Sequence, residues 1–366
     1  MRSQEDQVWY HVDVNSAYLS WTAAYRVCIL GEDLDLRDIP SVIGGSEAER
    51  HGIVLAKSGS AKRYGIRTGE TLAEARCKCP GLVIVPPDYS LYVGCSKALV
   101  ELLKKYFPHV HQYSIDEAFC RVEGTKGLWG THTAFAHQLK EEIRRELGFT
   151  VNIGVSDCKL LAKMASEFQK PDQVHTLFTR EIERKMWPLP VSDLFWVGPA
   201  TVRKLGALGI RTIGELAVMD LELLKRHLKK QGEFIWNYAN GRDVSPFLRE
   251  LPRNKGYGNS MTTPFDVTDR ETAWQVILSL TETVCARLRA DGMEAACVGI
   301  SITDREFRHG SVQTTLISAT DTTLEIYEAA RSLFDRLWNY SPIRRMGVYT
   351  SKVSPKGHYQ YQLFDR

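Results

Sequence analysis

The chain has 366 residues, enough for two to four domains with real cores, and its 43% apolar and 25% charged content is that of an ordinary globular protein. No apolar run reaches the ~18 residues needed to span a bilayer, and Met1 to Gln7 lack the apolar stretch of a signal peptide, so a cytoplasmic location is expected. The net charge of +3 is too small to announce a nucleic-acid binder, although residues 177–240 carry ten basic against seven acidic side chains. The eight cysteines are scattered, and Cys77 and Cys79, the only close pair, match no usual zinc-ligand spacing. They read as reduced packing residues.

Val8 to Val14 reads as a buried strand. Asn15 or Ser16 then caps a helix with Tyr18, Trp21, Tyr25 and Cys28 on one face. Residues 31–87 look like a small, loop-rich insertion. Residues 89–106 predict an amphipathic helix, and 110–122 two short strands joined near Ser114, Ile115 and Asp116. A helix over 131–147 aligns Phe135, Leu139, Ile143 and Leu147, and Gly148 closes it. Phe149, Val151, Ile153 and Val155 alternate as a strand, and Lys159 starts another helix. Strand, helix, two strands, helix, strand is the split pattern of ferredoxin-like folds.

Residues 196–216 predict two short helices joined by a tight glycine-containing turn. Such a hairpin offers backbone amides to a phosphate at Gly198, with Arg203 and Lys204 just beyond; an ordinary helical hairpin is the alternative. Lys225, Arg226, Lys229 and Lys230 fit a solvated helix face. Glycines and prolines over 241–256 suggest a linker. Residues 257–353 then repeat strand, helix, strand, strand, helix, strand, where Arg287, Arg289, Arg305 and Arg308 are either phosphate contacts or scattered surface charge. A polar tail over 354–366 ends with Leu363 and Phe364, an apolar pair suited to docking as a short peptide or to packing back on its own domain.

The chemistry concentrates in two strands. Asp116 and Glu117 interrupt an apolar hairpin, and Asp13 interrupts the first strand. Buried charge costs several kcal/mol unless it is paired or bound to metal. Three carboxylates ending apolar strands suggest a divalent-metal site and phosphoryl chemistry. Spacing alone does not show that they converge.

Four motifs resemble the Y-family translesion DNA polymerases, nearest the ImpB/MucB/SamB (UmuC-type) branch. They are Asp13 to Tyr18, Tyr113 to Phe119, Asn152 to Ser166 with Lys170-Pro171, and the hairpin at 196–216. Together they cover nearly the whole chain. The resemblance implies an α+β fold with a ferredoxin-like palm (1–16 and 83–176), small fingers (17–82), a helix-hairpin-helix thumb (177–240), a linker (241–256), a separate α+β little finger (257–353) and a tail (354–366). It implies error-prone translesion synthesis from deoxynucleoside triphosphates on primer–template DNA, by a monomer in DNA damage tolerance and the SOS response.

Position by position, it implies that Asp13 and Asp116 bridge two Mg2+ ions, that Glu117 binds the ion activating the primer 3′-hydroxyl, and that the Val14 carbonyl completes the nucleotide-side ion. Ser16, Ala17 and Tyr18 would meet the nucleotide, with Tyr18 excluding a ribose 2′-hydroxyl. Lys159 and Lys62 would contact the triphosphate, and Gly198, Arg203 and Lys204 the DNA backbone. Gln360, Leu363 and Phe364 look like a sliding-clamp peptide. Two positions depart from the family pattern: Gly59 stands where a tyrosine is common, and Trp196 where the thumb hairpin has its first glycine. The competing readings are an accessory DNA-binding protein that needs partner subunits, and a nucleotidyl cyclase.

Overall fold

The structure is a computed structural model that describes residues 7–48, 50, 52–123, 130–243 and 254–357. The chain divides into two compact units, one of residues 1–45 and 53–246, the other of residues 46–52 and 247–366. Residues 360–366, which include Gln360, Leu363 and Phe364, lie outside the described residues, as does 244–253 of the expected linker.

The first unit opens with β1 (Gln7–Val14) and α1 (Ala17–Cys28), followed by β2 (Ser41–Gly44), β3 (Val54–Lys57), α2 (Gly59–Arg63), α3 (Leu72–Lys78) and β4 (Val83–Val85). Next come α4 (Tyr89–Lys104), β5 (His109–Gln112), β6 (Glu117–Glu123), α5 (His132–Leu147), β7 (Val151–Ser156), α6 (Lys159–Glu167) and β8 (Val174–Thr176). The main sheet has the order β5-β6-β1-β7-β8. With β8 as an added edge, its first four strands have the order of a ferredoxin-like sheet, as the split pattern predicts. All of β7 is buried, so its alternation does not report an exposed face. One face of the sheet, bearing Tyr10, Val12, Cys120 and Val122, packs with Leu99, Leu103, Phe135 and Leu139 of α4 and α5.

The helix α1 corrects two expectations. Ser16 sits at its N-cap in the left-handed region and makes no side-chain cap bond. Its buried face is Ala17, Leu19, Trp21, Ala23 and Ala24, while Tyr25 and Cys28 are exposed. The reason is that α1 is shared between two cores: Ala17 and Trp21 join the main one, and Leu19 and Ala23 pack with Ile43, Ala56 and Val85. The segment expected as a loop-rich insertion contains a sheet of order β3-β2-β4.

The rest of this unit is helical: α7 (Ile182–Lys185), α8 (Pro199–Ala207), α9 (Ile213–Ala217), α10 (Leu221–Leu228) and α11 (Lys230–Ala239). The expected hairpin is α8 and α9, with Gly209 in the left-handed region of the turn between them. Trp196 also adopts positive φ, 70°, so the backbone keeps a conformation that favours glycine although the residue is tryptophan.

The second unit is β9 (Gly256–Val267), α12 (Arg270–Ala290), β10 (Met293–Asp304), β11 (His309–Thr320), α13 (Thr323–Leu337) and β12 (Ile343–Pro355). The element order is the one expected over 257–353. Its sheet runs β11-β10-β12-β9, fully antiparallel. Ile277, Val284, Ile326 and Phe334 of the two helices bury against Val298, Ile300 and Val348.

Candidate active site

Asp13 and Glu117 are directly paired across β1 and β6. Opposed residues of an antiparallel pair point to the same face, so both carboxylates leave the sheet together. Val14 donates its backbone N–H to the Asp116 carbonyl at 3.0 Å, which closes the β5–β6 turn against the end of β1. Asp13, Val14, Ser16, Ala17, Tyr18, Lys62, Asp116 and Glu117 thus line one cleft of about 820 Å³. Gly59 lines it too, and a Cβ built there meets open space.

The sheet face bearing Asp13 and Glu117 is covered by α6. The helix lies close because of Gly154, where a Cβ would fall 1.9 Å from the Ala162 carbonyl oxygen. Its C-terminal end and the following turn are held by Asn152, whose amide donates to the carbonyls of Ser166 (2.9 Å) and Gln169 (2.7 Å). Asn15 completes the latch by donating to Asn152 and accepting from the Asp172 backbone.

Through this latch α6 and its turn bring in groups that the motif reading did not assign. Lys163 donates to Glu117 at 2.8 Å, and Lys170 to Asp13 at 2.7 Å and to Glu167 at 2.8 Å. One carboxylate oxygen from each of Asp13, Glu117 and Glu167 lies within 4.8 Å of the others. The Asp116 carboxylate instead accepts from the Ser114 hydroxyl at 2.6 Å. Hard carboxylate oxygens at this density suit a divalent cation such as Mg2+ or Mn2+. The signal for Lys170 was its place beside Pro171 in the third motif, and for Glu167 its position just after Ser166, but the sequence says nothing about which way the turn folds.

Lys159 does not line this cleft; its ammonium lies 4.8 Å over the Phe119 ring, in a second cavity of about 160 Å³ that also holds Lys163 and Trp196. Lys159 and Lys163 are one turn apart on α6 and share a helix face, whereas Lys170 lies beyond the helix end and turns back to Asp13.

Charge in the cleft is arranged around burial. Burial pushes the Asp13 carboxyl up, to about 7, against the pull of Lys170. Burial also works to raise Glu117, but hydrogen bonding and charge from Lys163, with His11 close by, override it and hold that carboxyl down at about 2. His11 is fully buried, and burial pushes it down to about 4, so it is neutral at pH 7. Its Nε2 stands 3.6 Å from Glu117, beyond hydrogen-bond reach, so Lys163 is the direct partner. Tyr18 stacks on Tyr92 with ring centroids 4.4 Å apart, which fixes its ring at the cleft wall. Gly198, at the N-cap of α8, and Arg203 and Lys204, toward its C-terminal end, are exposed.

Residues 12–167 match the impB/mucB/samB family model, and residues 254–363 match the model of that family's C-terminal domain. The chain is 45% identical over 360 residues to the DNA polymerase IV of Clostridium acetobutylicum, covering 98% of this chain and 90% of that protein. The chain belongs to the Y-family of DNA polymerases. The polymerase is also 40% identical to the DNA polymerase IV of Acetivibrio thermocellus, over 93% of this chain and 85% of that one. It is 35% identical to DNA polymerase IV 2 of Bacillus subtilis, over 98% and 88%. A solved Y-family DNA polymerase chimera shares its fold, with a TM-score of 0.80 at 18% identity, over 95% of this chain and 99% of that one. Family membership carries with it the use of divalent metal, which the acidic donor set fits.

Proposed function

We propose that the cleft extends a primer on template DNA, damaged templates included, by in-line transfer of a nucleotidyl group from a deoxynucleoside triphosphate to the primer 3′-hydroxyl. The enzyme is a DNA polymerase of the translesion class. The observation that carries the mechanism is the convergence of Asp13, Asp116 and Glu117 on one cleft beside Tyr18, Lys62 and Lys170. Asp13, Asp116, Glu117 and the Val14 carbonyl would hold two Mg2+ ions, Glu117 serving the primer side and Val14 the nucleotide side, and Glu167 is a further carboxylate within reach of Asp13 and Glu117. The bound ions would acidify the attacking hydroxyl and neutralise charge on the phosphates.

The protein's own groups bind and orient. Ser16, Ala17 and Tyr18 line the cleft; the first two would meet the nucleotide, and the Tyr18 ring would exclude a ribose 2′-hydroxyl. Lys62 and Lys170 supply positive charge to the triphosphate, Lys62 as a point charge where a bidentate arginine is commoner. Nothing in the site favours the accessory reading, because the acids it could dispense with are all in place. A cyclase would need neither the hairpin at α8–α9 nor the second unit.

The division into palm, fingers, thumb and little finger follows the boundaries implied by the resemblance. Gly198, Arg203 and Lys204 track the DNA backbone, and Gln360, Leu363 and Phe364 dock on a sliding clamp. The enzyme works as a cytoplasmic monomer. Primer extension with Mg2+ on undamaged and abasic templates tests the core of this reading, and full activity in Asp116→Ala would sink the mechanism. Deleting residues 360–366 is expected to weaken clamp binding and spare distributive synthesis; unchanged clamp affinity would remove that partner.

A further inference from the structure

The two lysines on the acids sit in different surroundings. The Lys163 side chain is only 8% exposed and is wedged between the rings of Tyr113 and Phe195, 5.4 and 5.0 Å from its ammonium. Lys170 is 32% exposed, and it lines the open cleft. Its ammonium touches Asp13 and Glu167, two of the three carboxylates whose oxygens gather within 4.8 Å. The position that a divalent cation would take on Asp13 is therefore held by a cation belonging to the chain.

Asp13 is 6% exposed and cannot stay ionised there without a partner. An ammonium serves that purpose, but it cannot share the same oxygens with a metal ion, because like charges ~3 Å apart repel strongly at the low effective dielectric of a cleft. We propose that Lys170 is an internal counter-ion that the divalent metal displaces from Asp13. Lys163 stays on Glu117, since the aromatic walls leave it nowhere to go. The inference rests on the reading of the cleft as a metal-dependent polymerase site.

The experiment is a titration of Mn2+ into the full chain at pH 8, without DNA or nucleotide, read by electron paramagnetic resonance of the free ion. Lys170→Met is expected to tighten Mn2+ binding about fivefold or more, the scale of a typical coupling between sites. Lys62→Met, which removes a cleft lysine that does not touch Asp13, is expected to change it less than about twofold. Unchanged or weaker binding in Lys170→Met overturns the exchange, as does an equal tightening in Lys62→Met, which would mean a general field effect. Asp13→Asn separates the two levels: it abolishes the binding if the metal reading holds. Mn2+ affinity indifferent to Asp13→Asn overturns the metal site itself, and the exchange with it.

Discussion

Asp13 and Glu117 face each other as one register pair of the β1–β6 ladder, 104 positions apart in sequence and side by side on the sheet. This pairing sets side by side two carboxylates that each interrupt an apolar strand. Glu117→Gln and Asp13→Asn are expected to fold, because each amide keeps the shape of the acid and an oxygen that accepts from Lys163 or Lys170, yet each is expected to lower kcat for primer extension by about 10²–10³-fold or more. Retained activity with either substitution would refute the assignment.

Gly154 sets how near α6 can come. Gly154→Ala puts a Cβ against the Ala162 carbonyl and, at 2.6 Å, the Ser166 backbone nitrogen, neither of which is a flexible side-chain end. The expected cost is at least about 2 kcal/mol in chemical denaturation, with a loss of nucleotide affinity as Lys170 and Glu167 shift outward. A loss under about 0.5 kcal/mol would show that the helix has slack.

Asn152 is fully buried and engages Ser166, Gln169, Asn15 and Gln173. Asn152→Ala leaves the buried Ser166 carbonyl without this donor and the buried Asn15 amide without its acceptor, at about 1–3 kcal/mol for each unsatisfied group. Because the turn it holds carries Lys170, the KM for the incoming nucleotide is expected to rise more than kcat falls. Equal effects on both would indicate general unfolding.

The Tyr18 ring is pinned by its stack on Tyr92 and by edge contact with Tyr89. Tyr18→Ala is expected to raise ribonucleotide incorporation by at least about tenfold relative to deoxynucleotide, a difference of ~1.4 kcal/mol. Competitive single-nucleotide incorporation measures it, and unchanged sugar selection would reject Tyr18 as the gate.

Arg37 clamps Asp35 through both carboxylate oxygens and also donates to the Gly148 carbonyl at the end of α5. Hydrogen bonding from Arg37 holds the Asp35 carboxyl below its usual value. A depressed acid adds stability above its unfolded pKa of ~3.9 and loses it as pH falls through the folded value. Wild type is therefore expected to lose more stability than Arg37→Met on acidification below pH ~4, by under about 1 kcal/mol because the pair is partly exposed. Parallel stability curves for the two proteins would contradict this.

Much of the site was legible in the chain because its chemistry is local. Asp116 and Glu117 are adjacent, Asp13 to Tyr18 is one strand end and helix start, and each stands out against apolar neighbours. Helix phase was legible where one face meets one core, as in α5, and misleading where two cores share a helix, as in α1, whose buried face excludes Tyr25 and Cys28.

The sequence by itself determined the ferredoxin-like order of elements, the helical hairpin, the repeated strand–helix pattern of the second unit and the identity of three acids, since periodicity and turn chemistry are written in neighbouring residues. It could not determine which lysine reaches the acids. Lys159, Lys163 and Lys170 follow one another within twelve residues, yet they end in a second cavity, on Glu117 and on Asp13 respectively. That choice depends on the close approach of α6 at Gly154 and on the Asn15–Asn152 latch across two strands, and both are contacts between segments well over 100 residues or a whole element apart, which only the folded chain brings together.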